Sequence, residues 1–306
     1  GVLWLAYFME QNRTLPAFLL AIVTLGVKED AAVYVAVIAL YFLFAQKNYK
    51  CSIPILVFSV VWFLIVTKCM QTYGEGIMDN SRYGDYIYDG GGLFSVIKAV
   101  LMNPAYAIRQ SFRQEKYLFL LQMLAPLGFL PLAIKKPAKL ILLIPLLLVN
   151  LMTSYKYQFD IGFQYTFGSG GLLFYLAATN YADLGKNRRK LLLCAFLSAL
   201  ILFAGGYAQK AAALFPTKEQ TAAVAAIDEG LALIPPDASV TASTFLLANV
   251  SQRETLYELE RTNHLTDYIA ADLRYGRTFD EEKYLEEGYR VIFFEEGVVE
   301  VLTRIR

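Results

Sequence analysis

Apolar runs separated by short polar segments organise the first two thirds of the chain. Such runs occupy residues 15–27, 31–45, 53–67, 117–134, 140–153, 161–179 and 191–207, and residues 1–9 read as the end of another one. A helix crossing a bilayer needs about 20 mostly apolar residues. Several of these runs are nearer to about 15, a length that spans when flanking residues join the helix or the bilayer thins. Between them, 93–112 alternates an apolar stripe (Leu93, Phe94, Ile97, Val100, Leu101, Tyr106, Ile108) with Ser95, Lys98, Asn103, Arg109 and Gln110. That pattern predicts an amphipathic helix lying on the membrane surface, broken at Pro104.

After residue 217 the pattern changes. Thr217 and Gln220 form the signature of a capping box that opens an amphipathic helix, and Pro235-Pro236-Asp237 closes it. Short β-like runs follow at 239–242, 255–259, 268–273, 289–294 and 298–303, with helical stretches near 244–249 and 280–287 and a hairpin turn at Gly297. The expected fold is therefore a polytopic α-helical membrane protein. About seven to eight transmembrane helices are expected in residues 1–209, including an outer loop and surface helix at 68–116. A small extracytoplasmic α/β domain is expected at 210–306.

Charge then orients the chain. Lys47 and Lys50, then Lys135, Lys136 and Lys139, then Lys186, Arg188, Arg189 and Lys190 fall in every second loop. Short Lys/Arg-rich loops stay on the cytoplasmic side. This sets 10–13, 47–50, 135–139 and 184–190 inside. It sets Lys28, 68–116, 154–160 and everything after 208 outside, in a multi-pass protein of the cell membrane. Composition agrees, with 57% hydrophobic and 18% charged residues, 21 Tyr, 21 Phe and a mean hydropathy of +0.42. A net charge of +1 offers no reason to expect a nucleic-acid partner, and membrane lipids are the expected neighbours. Three scattered cysteines and a single histidine, His264, fit neither a disulfide framework nor a His-based metal cluster. A start at Gly1, inside an apolar stretch, reads as the C-terminal part of a longer chain.

The outer face gathers the candidate chemistry. Lys28-Glu29-Asp30 interrupts two apolar runs, where charge is costly and usually serves a cavity or pathway. A carboxylate there could orient a divalent metal ion or take a proton, and Lys28 could hold a phosphate. The alternative is a self-neutralising polar turn. In 71–92, Tyr73, Glu75, Asp79, Asn80, Arg82, Tyr83, Asp85, Tyr86, Tyr88 and Asp89 interleave rings that stack on sugars with carboxylates that bind hydroxyls. Tyr155, Tyr157, Gln158, Asp160, Gln164 and Tyr165 crowd a second outer junction, either as a substrate site or as helix-packing hydrogen bonds. Arg109, Arg113 and Lys116 could meet a lipid-linked phosphate or, more generally, anionic headgroups.

The set Lys28-Glu29-Asp30 with Tyr34, 125–132 (APLGFLPL), Asn150, 161–166 (IGFQYT) and 234–240 (IPPDASV) resembles an uncharacterised prokaryotic family of predicted membrane proteins. That family is itself similar to the type C glycosyltransferases. The resemblance implies transfer of a sugar from a polyprenyl-phosphate donor on the outer face. It implies Lys28, Arg109 or Arg113 on phosphate, Glu29 and Asp30 in support, and Arg82, Tyr83, Asp85, Tyr155, Tyr157, Asp160, Gln164 and Tyr165 around the sugar. The catalytic acidic residue of such enzymes would fall upstream of Gly1. Two other classes stay open: a transporter or flippase, and a membrane scaffold whose outer domain binds a partner.

Overall fold

The computed structural model describes residues 1–73, 82–87, 92–185, 188–208, 211, 214–262, 264–275 and 279–305. The chain divides into two compact units, Gly1–Ala208 and Gln209–Arg306.

The first unit is helical. Helices α1 (Val2–Glu10), α2 (Thr14–Leu25), α3 (Ala31–Gln46) and α4 (Tyr49–Tyr73) pack into one core, with Leu5, Met9, Ala21, Val35, Ile38 and Phe42 buried. The centre is α3, apolar on all sides and enclosed by its neighbours. Its end is sharp because Lys47 adopts a left-handed conformation, φ 54°. By contrast, α4 buries little and exposes Ile53, Val57, Val60, Val61, Leu64 and Ile65. The surface stripe forms α5 (Gly92–Met102) and α6 (Pro104–Ser111), broken where expected. Asn103 caps α6 by accepting from the Tyr106 N–H at 3.1 Å.

Two expected spans have helices long and apolar enough to cross a membrane, Tyr49–Tyr73 and Arg188–Gly206. The second comprises α9 (Arg188–Leu202) and part of the π-turn that follows it, whereas α2, α3 and the 137–151 segment are shorter. Run 117–134 is helical only in α7 (Tyr117–Leu124). Beyond it lie two 3-10 turns around Pro126 and Pro131, separated by Gly128 and Phe129 at φ 57° and 55°. Run 140–153 is a 3-10 segment, Pro137–Leu143, and a π-turn, Leu146–Leu151, separated at Pro145. Proline without an N–H breaks the i→i−4 ladder in both. Next comes α8 (Phe167–Asp183), which crosses Tyr34 so closely that a Cβ on Gly168 would lie 2.4 Å from the Tyr34 Cζ.

The 135–139 loop does more than carry charge. Lys139 is buried and donates to Asn180 Oδ1 at 2.9 Å and Asp183 Oδ2 at 2.8 Å. Lys135 and Lys136 add bonds to the Asp183 carbonyl and carboxylate. Lys186 lies outside the described residues.

The second unit is α/β. Thr217 and Gln220 make the capping box of α10 (Lys218–Ala232). Strands β1 (Val240–Ala242), β2 (Leu256–Glu258), β3 (Tyr268–Asp272), β4 (Tyr289–Glu295) and β5 (Val299–Arg304) form a sheet in the order β2-β1-β3-β5-β4. The first three are parallel; β5 is antiparallel to β3 and β4. Gly297, φ 68°, turns the β4–β5 hairpin. One face buries Val240, Ala242, Val299 and Val301 with Ile227 and Leu231 of α10. The other buries Ile269 and Leu302 with Tyr284, of α11 (Glu281–Glu286), and Tyr289.

Candidate functional site

Gly26 ends α2, and the turn that follows carries Lys28, Glu29 and Asp30 into α3. The chain cannot bury three charges here unpaired. Lys28 meets Asp30 at 3.1 Å, and Glu29 meets Arg82 at 3.3 Å. Arg82, 53 positions from Glu29 in sequence, thus closes the cluster. Burial holds the Asp30 carboxyl above its ordinary range, against the opposing pull of Lys28.

Aromatic rings cover the two cations. The Lys28 ammonium lies 4.1 Å from the centroid of Tyr165, and the Arg82 guanidinium carbon lies 5.6 Å from Tyr165 and 5.9 Å from Tyr155. Tyr155 continues edge-on to Tyr157 at 5.1 Å, and Tyr157 packs on Phe163 at 4.5 Å.

A buried polar network fixes these rings. Tyr34 and Ser169 hydroxyls meet at 3.4 Å, and Ser169 donates to Asn150 Oδ1 at 2.5 Å. Asn150 Nδ2 donates to the carbonyls of Gln158, at 2.6 Å, and Tyr165, at 3.2 Å. The Thr153 hydroxyl contacts both Gln158 Oε1, at 2.7 Å, and the Arg82 carbonyl, at 3.0 Å. The segments carrying Arg82, Tyr155 and Tyr165 are therefore tied to α3 and α8 by satisfied buried groups.

Beside the charges lies a cavity of about 330 Å³. Asp30, Thr67, Arg82, Tyr83 and Gln158 are the polar residues of its lining, which is otherwise apolar and includes Phe63, Val96, Val100, Leu101, Leu148 and Val149. Its wall is almost wholly hydrocarbon, and the charge cluster reaches it through Asp30 and Arg82, the partners of Lys28 and Glu29; hydrocarbon with charge at one edge suits an amphiphile.

The structure brings Lys28, Glu29, Asp30, Arg82, Tyr155 and Tyr165 together, with Tyr83 on the cavity and Tyr157 on the ring ladder. It does not bring in the rest. Arg113 pairs with Asp85 at 3.3 Å and with Glu115 at 3.8 Å, all half-exposed or more solvated. Arg109 is exposed on α6. Asp160 accepts from the Gly162 N–H at 2.8 Å and lines a different groove, and Gln164 is exposed. Lys116, expected to meet phosphate, is 1% exposed and donates to the carbonyls of Gln110, Leu151 and Thr153. Glu75, Asp79, Asn80, Tyr88 and Asp89 lie outside the described residues. Sequence reasoning missed the roles of Tyr34, Thr153 and Ser169. A hydroxyl inside an apolar run was the available signal, and it is too common to single them out.

The carboxylates of Glu29 and Asp30 are each engaged by a cation. Among the described residues no group of three His, Cys, Asp or Glu side chains converges to hold a metal ion.

The model of a family described as "Predicted membrane protein (DUF2079)" matches residues 2–287. No curated protein and no solved structure matches the chain.

Proposed function

The chain belongs to the DUF2079 family of predicted membrane proteins, and from that premise we propose that it binds a lipid-linked phosphate in the cavity lined by Asp30 and Arg82 and transfers the attached sugar on the outer membrane face. The observation that carries this reading is the cavity's two-ended chemistry. Its apolar wall suits an isoprenoid or acyl chain, each buried methylene contributing about 0.8 kcal/mol. Its charged end suits a phosphate, with Arg82 on the lining as a forked donor and Lys28, behind Asp30, as a point charge that can turn to it.

Binding exchanges partners. Phosphate takes Lys28 and Arg82, and Asp30 and Glu29 lose their cations. Asp30, already held above its ordinary range by burial, becomes the stronger base. In this reading Asp30, rather than the acidic residue that the resemblance puts upstream of Gly1, accepts the proton of an acceptor hydroxyl as that oxygen bonds to the anomeric carbon and the sugar–phosphate bond breaks. The lipid phosphate leaves, held by the two cations. Positive charge on the sugar ring in the transition state is stabilised by the Glu29 carboxylate, and the Tyr155 ring, beside Arg82, is offered to its face. The basic loops support an orientation with this end outside and the segment after residue 208 extracytoplasmic, in a multi-pass protein.

The test uses the full chain in nanodiscs with polyprenyl phosphate carrying radiolabelled glucose, mannose or arabinose. The reading expects one donor to bind and lose its label, at least about tenfold more slowly in Lys28→Ala/Arg82→Ala. A donor that binds but is never consumed rejects the transferase in favour of a carrier or flippase. Failure of every donor to bind rejects the site.

A further inference from the structure

The second unit holds a different arrangement, independent of the lipid cavity. Strand β1 is central among the parallel strands, with β2 on one side and β3 on the other. The chain leaving β1 goes one way to β2 and then crosses back to β3. In open α/β sheets such a reversal leaves a crevice outside the carboxyl ends of the strands, and ligands bind there.

The residues at that crevice are not ordinary loop residues. Phe245, after β1, and Tyr275, after β3, pack together with ring centroids 4.8 Å apart at 47°, yet each remains largely solvated, 53% and 59% exposed. They come from the two loops that flank the switch point, so a ligand at the crevice would meet both rings. The loops are rigidly tied. Ser243 accepts from the Asp272 N–H at 3.0 Å, and Asp272 grips Arg274 through two bonds, Nε at 3.0 Å and Nη2 at 2.8 Å. Arg274 in turn lies over the Tyr275 ring, 5.3 Å from its centroid. On the other side the Thr244 hydroxyl bonds to Glu258 at 2.6 Å and to Glu260 at 3.1 Å.

We infer that this crevice binds a saccharide. Paired, pre-set rings offer apolar faces to the C–H face of a pyranose. Thr244, Glu258 and Glu260 offer acceptors for its hydroxyls. The rings also suit a nucleotide base, but the charge does not suit its phosphates. Glu258, Glu260 and Asp272 at the strand ends outnumber Arg261 and Arg274, and each arginine already faces a carboxylate. The adjoining groove beside Arg274 adds Glu219, Glu295 and Glu296. An uncharged or amino sugar is the class that fits both the rings and the acidic surround.

The full chain in nanodiscs is titrated with maltoheptaose, chitohexaose, mannohexaose and uridine diphosphate by calorimetry, with thermal unfolding as the control for folding. One oligosaccharide should bind, and Phe245→Ala/Tyr275→Ala should weaken it at least about tenfold, while Phe245→Tyr/Tyr275→Phe, which keeps both rings, should not. Glu260→Gln should weaken it independently of the rings, so a poorly folded double variant does not shield the inference. It is overturned if no oligosaccharide binds with Kd below about 10 mM, if the ring variants bind like the parent, or if uridine diphosphate binds instead. Loss of lipid-phosphate binding at Lys28 and Arg82 would leave this outcome unchanged.

Discussion

In the helical unit α4 leaves Ile53, Val57, Leu64 and Ile65 exposed, and α9 does the same with Leu193, Phe196 and Ile201. In the sheet unit the inward residues of β1, β3 and β5 are fully covered. The same hydrophobic effect acts on both, with different solvents. A strand in water hides its apolar face against a helix, whereas a helix in lipid need not hide its own and must instead hide its polar groups. The helical unit duly spends its buried contacts on Lys116, Lys139, Asn150 and Asn180, all of them hydrogen-bonded. Both units keep an apolar core, and in the helical unit these hydrogen-bonded polar groups are buried beside it.

The sharpest contrast lies in two glycines. A Cβ on Gly168 would meet buried Tyr34 at 2.4 Å, and one on Gly230 would meet Phe293, half-exposed on the edge strand β4, at 2.7 Å. Tyr34 is enclosed and tied to Ser169, so Gly168→Ala should destabilise by about 2–3 kcal/mol. Phe293 can turn toward solvent, so Gly230→Ala should cost about 1 kcal/mol or less. Thermal unfolding in detergent measures both. An equal loss would mean that the helical unit is no more tightly packed.

Two buried ionisable groups separate the units by pH. Burial lowers the Lys116 ammonium from 10.5 to about 8, and raises the Glu300 carboxyl from 4.5 to about 7, with Glu281 adding to the shift. Between about 8 and 10.5 the unfolded chain holds more protons at lysine than the folded one, so the helical unit should gain stability as pH rises. Between 4.5 and about 7 the folded chain holds more protons at Glu300, so the sheet unit should lose stability as pH rises. Hydrogen exchange followed separately in the two units from pH 5 to 9 should show opposite slopes. Lys116→Met and Glu300→Gln should each flatten one slope and leave the other.

What could be read from sequence follows the same division. Strand positions after 239, the capping box at Thr217 and the turn at Gly297 were legible because short β-prone runs, caps and turn chemistry are local. The break at Pro104 was legible for the same reason. The apolar runs at 117–134 and 140–153 did not reveal where regular helix stops, because apolar character is compatible with 3-10 and π segments once Pro126, Pro131 and Pro145 intervene. Of the candidate site, Lys28-Glu29-Asp30 stood out as charge between apolar runs. The partner Arg82 was named, but nothing local joined it to Glu29, and the cavity's apolar wall comes from α4, α5 and the 148–152 segment. Lys116 looked like its neighbours Arg109 and Arg113, and only its three carbonyl partners distinguish it.

The smallest expected effect tests that distinction. Arg113 and Asp85 pair in solvent, so Arg113→Ala should change stability by less than about 0.5 kcal/mol and leave lipid-phosphate binding intact. A large loss of binding would move the phosphate site from the cavity to the surface helices.

The account turns on a lipid phosphate entering the cavity between α4 and α5. A polyprenyl phosphate carrying a diazirine near its headgroup, photolysed with the full chain in nanodiscs, tests this most directly. Labelling is predicted at Phe63 and Thr67 of α4 and at Val96–Leu101 of α5, competed by unlabelled polyprenyl phosphate and lost in Lys28→Ala/Arg82→Ala. Labelling spread over the exposed faces of α4 and α9, indifferent to competitor and to both substitutions, would contradict it.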